Sequence, residues 1–278
     1  MKKKTGTEGT RTFYNETGWK EQDGASVDHH LFSVKEDGPI RVGLNRLHKN
    51  RIRTALSKAG TRLNLLECGC GGHPEKLMLD LCEKYTGVDF SDTGLEMARS
   101  SFANVGIAHR FQAADVCELP FEDGAFDAVY SAHMIYHIED PAAQDAAIHE
   151  LMRVTKVGGV VVLVAANPRP LAFPMRLLKR LAADTPLVGS ILNRLRSKPP
   201  VPYNPMLIGW MRRRLAGSGL VEVLGCSMPS TSFYQNVTEF KGTGKLRWRA
   251  IRWLDVNYPQ LAAYLGNYVL LSCTKVAA

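Results

Sequence analysis

The stretch Leu63-Asn64-Leu65-Leu66-Glu67-Cys68-Gly69-Cys70-Gly71-Gly72-His73-Pro74 decides the fold. An apolar run of strand length ends in an acid and then in glycines, so a strand runs into a turn whose backbone can approach a ligand closely. Pro74 stands where a helix can begin, since a first helical residue needs no N–H, and the spacing predicts a helix over 74–84. The free N–H groups and positive dipole end of that helix would face the turn. Taken alone, such a turn is shared by dinucleotide enzymes and by loops that need glycine only for steric reasons.

Working outward, apolar runs at Tyr85–Asp89, Ala108–Ala113, Phe126–Ser131 and Val160–Ala165 alternate with helical patterns at Thr93–Phe102 and Pro141–Val154. Strands separated by helices require crossover connections, which make a parallel sheet and an α/β fold. Upstream, Leu44, Leu47, Ile52, Ala55 and Leu56 recur at helical spacing within Gly43–Ala59, behind a polar arm expected to be irregular and anchored by Phe13, Tyr14, Trp19 and Phe32. Downstream, residues 168–215 are basic and punctuated by proline, with an amphipathic stretch at Met175–Ala182 and the cluster Arg212-Arg213-Arg214. Two strand-like runs follow, Leu220–Cys226 and Asn267–Lys275, with a segment rich in Trp, Tyr and Arg between them. The expected organisation is an N-terminal arm (1–42), an α/β core (43–167), an inserted helical cap (168–215) and a C-terminal completion of the sheet (216–278).

The chain has 278 residues, 45% of them apolar and 22% charged, a balance that excludes disorder and collagen-like repeats. Its net charge of +8 is unevenly spread. Residues 61–165 hold 7 basic and 16 acidic side chains, a net of −9, whereas residues 1–60 carry +5 and residues 166–278 carry +12. An anionic partner would therefore be met by the flanks. The six cysteines show no CxxC spacing, so neither a zinc site nor a disulfide framework is indicated. The basic start is followed by no apolar run and no stretch of 18 apolar residues occurs, which predicts a cytoplasmic chain without a membrane span.

The second strand ends in Gly87-Val88-Asp89-Phe90-Ser91, and an acid at that strand end can accept the hydroxyl protons of a ribose. Capping of the next helix falls to Ser91 or Asp92. Further on stand Gln112-Ala113-Ala114-Asp115-Val116, then Asp115 through Leu119-Pro120-Phe121, and finally Glu150-Leu151-Met152-Arg153-Val154-Thr155-Lys156-Val157-Gly158-Gly159. Four motifs in this order resemble those of class I S-adenosylmethionine-dependent methyltransferases of the small-molecule, type 11-like group: D/E-x-G-x-G, G-x-D, D-x-x-x-L-P-F and E-x-x-R-V-L-K-P-G-G. The resemblance covers about residues 61–166 and a final strand at 267–275. It implies a Rossmann-like, seven-stranded, mostly parallel sheet with helices on both faces.

It also implies a cofactor, S-adenosyl-L-methionine, and its product S-adenosyl-L-homocysteine. Glu67, Gly69, Cys70 and Gly71 match the turn that receives the methionine part, Asp89 the ribose acid with Phe90 beside the adenine, and Asp115 and Val116 the adenine contacts. Ser131 and His133 fall where backbone carbonyls meet the methionine amine. The sequence departs from the pattern at His73, which replaces the third glycine, and at Val157, which replaces a proline.

Methyl transfer from a sulfonium is an in-line displacement, so the protein aligns the acceptor and excludes water. A hydroxyl acceptor also loses a proton, a task suited to histidine. His137, in His133-Met134-Ile135-Tyr136-His137-Ile138, is the candidate base, with a loop-ordering role as its alternative. Asn167, Tyr14, Trp19 and Tyr136 are candidate acceptor contacts. Acids and amides on these loops are too few to predict a metal.

The basic cap, with 10 Lys/Arg over 168–215, points to an anionic acceptor such as a phosphorylated, nucleotide-linked or lipid-linked sugar, and so to O-methylation of a saccharide or glycosylated metabolite, with a solvated basic face as the alternative reading of the cap. A quinone or lipid C-methyltransferase is the alternative within the family, and an RNA-binding modification factor the alternative from another class. No RNA-binding module is recognisable, so no specific nucleic-acid partner is expected. A dehydrogenase would share the glycine turn and ribose acid but leaves Asp115 and Gly158-Gly159 unexplained. The amphipathic stretch 175–196 suggests peripheral membrane contact. Monomer and homodimer both remain open.

Overall fold

The structure, a computed structural model, describes residues 8–22, 25–26, 39–170, 201–226 and 243–277. Most of the expected cap, including 175–196, lies outside the described residues, as does Phe32. The arm is more regular than expected: a helix, α1 (Glu8–Phe13), continues as a π-helical turn over Tyr14–Gly18, followed by a two-stranded pair of Glu21–Gln22 with Ala25–Ser26. The first long helix, α2, spans Pro39–Leu56.

Seven strands form one sheet: β1 (Leu63–Cys68), β2 (Cys82–Asp89), β3 (Ala108–Ala113), β4 (Phe126–Ala132), β5 (Thr155–Ala166), β6 (Gly219–Cys226) and β7 (Tyr268–Lys275). Their order is β3-β2-β1-β4-β5-β7-β6. The first five are mutually parallel, and β7 runs antiparallel to both β5 and β6. This is the α/β, Rossmann-like, seven-stranded and mostly parallel arrangement that the motif order implied. β1 and β4 are neighbours on which the strand order reverses, and in open α/β sheets ligands bind at the carboxyl ends flanking that switch.

The strands are apolar on both faces because helices cover both. On β5, Val160, Val162 and Val164 point to the side packed by Ile52, Ala55 and Leu56 of α2, whereas Val161, Leu163 and Ala165 meet the other side. That second side is covered by α4 (Pro141–Arg153) and α5 (Ile208–Ala216), which contribute Ile148, Leu151, Met211 and Leu215. Between α2 and α4 in sequence, α3 (Asp92–Phe102) is capped by the Ser91 hydroxyl, which accepts from Gly94 N–H at 3.3 Å. The Asp140 carboxylate caps α4, and Pro141 begins it. Two helices, α6 (Thr243–Asn257) and α7 (Pro259–Leu265), connect β6 to β7.

One expected helix is absent. Residues 74–84 form an open loop, a single 3₁₀ turn at Leu79–Leu81 and the start of β2, which begins three residues before the predicted Tyr85. Glu67 accepts from Glu75 N–H, which a helix begun at Pro74 would leave unpaired, and the Glu75 carboxylate accepts from Leu77 N–H at 2.9 Å, the first backbone donor that such a helix would use. Such local bonds compete directly with helix formation. This segment therefore aims no helix dipole at the glycine turn; the first turn of α3 packs there instead, with Gly94 against Gly71.

Candidate active site

The turn after β1 is held by its neighbour strand. Gly69 and Cys70 N–H groups both donate to the Val88 carbonyl, at 2.8 and 3.1 Å, and Gly71 N–H donates to Asp89 Oδ2 at 2.9 Å. The other Asp89 oxygen accepts from Ser91 N–H at 2.9 Å. Gly69 and Gly71 adopt φ of 75° and 51°, the left-handed region in which a side chain is strained. A Cβ at Gly69 would also stand 2.6 Å from Met134, and one at Gly71 2.7 Å from the Trp19 indole.

Above this turn lies a cavity of about 390 Å³ lined by residues from the β1, β2 and β4 ends and from the arm. Glu67, Gly69, Cys70, Gly71, Asp89, Phe90 and His133 line it, as do Tyr14, Trp19, Tyr136 and His137. The arm forms the roof. The Thr10 hydroxyl donates to the His137 carbonyl at 2.6 Å, and Gly9 N–H donates to Glu139 at 3.0 Å. Trp19, 8% exposed, lies against Gly71, Gly72 and Gly94, so it packs on the glycine-turn side of the cavity rather than at the opposite, aromatic end. Tyr136 is at that end.

Four expected contacts fall elsewhere. The lining ends at Phe90 and does not include Asp115 or Val116; Asp115 accepts from Cys117 N–H at 2.9 Å and closes its own loop. Ser131 lies within β4, fully buried and paired in register with Leu163, because the strand runs on to Ala132. Asn167 is buried away from the cavity, its amide donating to the carbonyls of Tyr264 and Gly266 at 3.0 and 2.8 Å. It closes the carboxyl end of α7, which sequence spacing did not reveal.

Burial governs the titration of the site. Glu67 accepts a hydrogen bond from the Tyr85 hydroxyl, yet loss of water pushes its carboxyl up to about 8. His133 is pushed down to about 4 by burial and then by the neighbouring His137. Its backbone has φ 57°, costly for a residue with a side chain, and its Nδ1 lies 3.2 Å from the Tyr136 hydroxyl. His137 is lowered by burial, partly offset by its bond to Pro202. That bond fixes its tautomer: Nδ1 lies 2.7 Å from the Pro202 carbonyl, which can only accept, so Nδ1 carries the hydrogen and the neutral ring's lone pair is on Nε2.

The cavity has two chemical ends. Glu67, Glu75 and Asp89 supply three carboxyl groups, and among the described residues no lysine or arginine lines it. A ligand carrying ammonium and sulfonium charge and a ribose fits that end, beside the glycine turn. Tyr136, Ile138 and Tyr268, with the rings of His133 and His137, make the other end apolar and aromatic, whereas Tyr130 stands beside Glu67 and Met134 lies against Gly69. Sequence reasoning missed Thr10, Glu75, Tyr130, Met134, Ile138 and Tyr268, and only the nearness of Met134 and Ile138 to His137 offered a signal.

The two later motifs form one structural unit. Arg153 donates to the carbonyls of Leu119 and Phe121 at 2.9 and 2.7 Å and to Asp123 and Glu150, while Glu150 accepts from Leu119 N–H at 2.8 Å. They pin the loop between β3 and β4 to the end of α4.

Residues 66–163 match a family described as a methyltransferase domain. Among curated proteins the chain is similar to the sterol 4-C-methyltransferase strm-1 of Caenorhabditis elegans (36% identical over 101 residues, 34% of this chain and 28% of the relative). It is also similar to the chloroplastic tocopherol O-methyltransferase of Arabidopsis thaliana (29% over 173 residues, 56% and 48%) and the demethylmenaquinone methyltransferase of Thermus thermophilus (35% over 130 residues, 45% and 56%). The matched region thus spans between 28% and 56% of the length of these three relatives. Among solved structures, N-methyltransferase NodS of Bradyrhizobium japonicum in complex with S-adenosyl-L-homocysteine covers 98% of this chain and 99% of its own at a TM-score of 0.55 and 15% identity. YcgJ of Bacillus subtilis covers 84% and 100% at a TM-score of 0.53 and 18% identity. At these identities the likeness is one of fold.

Proposed function

We propose that this chain, whose residues 66–163 match a family described as a methyltransferase domain, is a class I S-adenosylmethionine-dependent methyltransferase that methylates a hydroxyl group on an apolar, aromatic small molecule. The observation that carries the reading is the division of the cavity into a carboxyl-rich end at the glycine turn and an aromatic end at which His137 presents a fixed tautomer. Sterol, tocopherol and menaquinone precursors named for the relatives are apolar ring compounds, which supports the same class of acceptor. The saccharide expected from the basic flanks has less support, since no basic side chain lines the cavity among the described residues.

Bound S-adenosylmethionine supplies a methyl group on a positive sulfur, open to displacement along one line. Asp89 and the Gly71 backbone would fix the nucleoside, and Glu67 would face the amino end. The roof of Thr10, Tyr14 and Trp19 would exclude water. Tyr136 and Tyr268 would hold the ring of the acceptor. His137 Nε2 would take the hydroxyl proton as the oxygen–methyl bond forms, and Pro202 would stabilise the resulting imidazolium through Nδ1–H.

Incubation with S-adenosylmethionine and a panel of prenylated quinols, simple catechols, sterols and nucleotide sugars tests the reading, with product mass and S-adenosylhomocysteine release as readouts. Methyl ethers of the quinols or catechols are expected. Methylation confined to nucleotide sugars would refute the acceptor class, and a product methylated at ring carbon would replace hydroxyl transfer by carbon transfer.

A further inference from the structure

The segment from α6 through α7 has one committed side and one uncommitted side. On the inner side Asp255, 1% exposed, accepts from Arg51 Nη1 at 2.8 Å, and the same nitrogen donates to the Gly225 carbonyl at 2.6 Å. Ala262 and Ala263 are buried against β6, so close that a Cβ at Gly225 would stand 2.8 Å from Ala262. These contacts fix which face looks outward.

The outward face is apolar and aromatic. Leu246 is 70% exposed, Trp253 58%, Val256 52%, Tyr258 51%, Leu261 50% and Tyr264 46%. They are half of the twelve large apolar side chains exposed among the described residues, gathered into 23 consecutive positions, which scattered surface exposure does not produce. The Trp253 and Tyr258 rings meet at the corner between the helices, 5.4 Å apart. The exposed Arg249 and Arg252 are interleaved with them, and the single acid of the segment is the buried Asp255.

We propose that α6 and α7 form a docking surface for an anionic phospholipid bilayer. Exposed Trp and Tyr sit favourably at the headgroup level, leucine and valine enter the acyl boundary, and arginines pair with lipid phosphates. Charge complementarity favours this occupant: the segment adds to a C-terminal flank of net +12 and exposes no carboxylate of its own. The surface is distinct from the stretch 175–196. In sequence it leads directly into β7, whose first residue, Tyr268, lines the cavity. No helix among the described residues is long and apolar enough to cross a membrane, so the association is peripheral. The inference goes beyond the proposed activity and does not depend on which acceptor is used.

Co-sedimentation of the full chain with phosphatidylcholine vesicles, and with the same vesicles containing about one third phosphatidylglycerol, tests it, with light scattering in the absence of lipid. Retention on the anionic vesicles, weak retention on the neutral ones and release by about 0.5 M salt are expected. Removing both charges in an Arg249→Gln, Arg252→Gln variant should weaken binding roughly thirtyfold, at about fivefold per basic residue. A Trp253→Ser, Leu261→Ser variant should lose retention, and unchanged affinity for S-adenosylhomocysteine would show that each variant is folded. Equal retention on neutral and anionic vesicles by the wild-type chain overturns the proposal whatever the variants do. So does variant binding equal to wild type, or a lipid-free dimer that the variants dissociate, which would make a second copy the occupant.

Discussion

Asp89 offers the sharpest test of the site. Its two carboxylate oxygens hold the glycine turn and the start of α3, accepting from Gly71 and Ser91 N–H groups at 2.9 Å each. A carboxylate offers about four lone-pair sites, so this duty is compatible with accepting two ribose hydroxyls. Hydrogen bonds to a charged acceptor contribute about 1.5–3 kcal/mol each, so Asp89→Ala should cost about 3–6 kcal/mol of cofactor affinity, or two to four orders of magnitude in Kd. Asp89→Asn separates the two duties. One amide oxygen survives, but the NH₂ group meets a backbone N–H donor, so roughly half of the loss is expected together with a lower Tm. Calorimetric titration with S-adenosylhomocysteine measures both, and Asp92→Ala at the start of the same helix serves as control. An Asp89→Ala chain that remains folded and binds within about threefold of wild type would refute the ribose assignment, because no plausible rearrangement replaces two charged acceptors.

His137→Ala should lower turnover about 10²–10⁴-fold with cofactor affinity nearly unchanged; because burial holds the His137 imidazole below its ordinary 6.5, the wild-type kcat should stay flat from neutral pH down past 6.5, and a break above 6.5 would exclude it as the base. Glu67 has its carboxyl raised to about 8 in the folded chain against 4.5 unfolded, so the folded state keeps a proton that the unfolded state releases and stability falls as pH rises through that window. Thermal melts should therefore favour Glu67→Gln over wild type increasingly from about pH 5 to about pH 9, by up to about 1.4 kcal/mol per pH unit, and parallel curves would refute the shift. Gly71→Ala should cost about 1–3 kcal/mol, from its φ of 51° and a Cβ 2.7 Å from Trp19, visible as a lower Tm and weaker cofactor binding; an unchanged Tm would mean that the roof yields freely.

What could be read from sequence was what local rules determine. The fifth strand is a continuous apolar run, since helices bury both its faces, and that pattern survives in sequence with little ambiguity. The glycines at 69 and 71 are legible because a left-handed backbone admits few other residues. The helix expected over 74–84 had the right punctuation, but the Glu75 carboxylate accepts from Leu77 N–H, the first backbone donor that helix would have used. The roof was less legible still. Thr10 meets His137 across 127 positions, and neither residue's neighbours announce the contact.

The Glu150 and Arg153 pair shows where motif reading and physical reading part. In sequence the pair marks the approach to a glycine turn; in the structure Arg153 serves two carbonyls and two carboxylates at once, with Glu150 returning a bond to Leu119. Only the planar, five-donor guanidinium spans those acceptors, and an ammonium with three donors cannot. The arginine therefore couples the loop after β3 to the helix before β5, the two segments that flank β4. Since β4 delivers His133 and the loop bearing His137, the rigidity of the catalytic end rests on a residue that lines no part of the cavity. Replacing Arg153 by lysine should consequently lower Tm and kcat together while leaving the Asp89 contacts, on the other side of β1, in place.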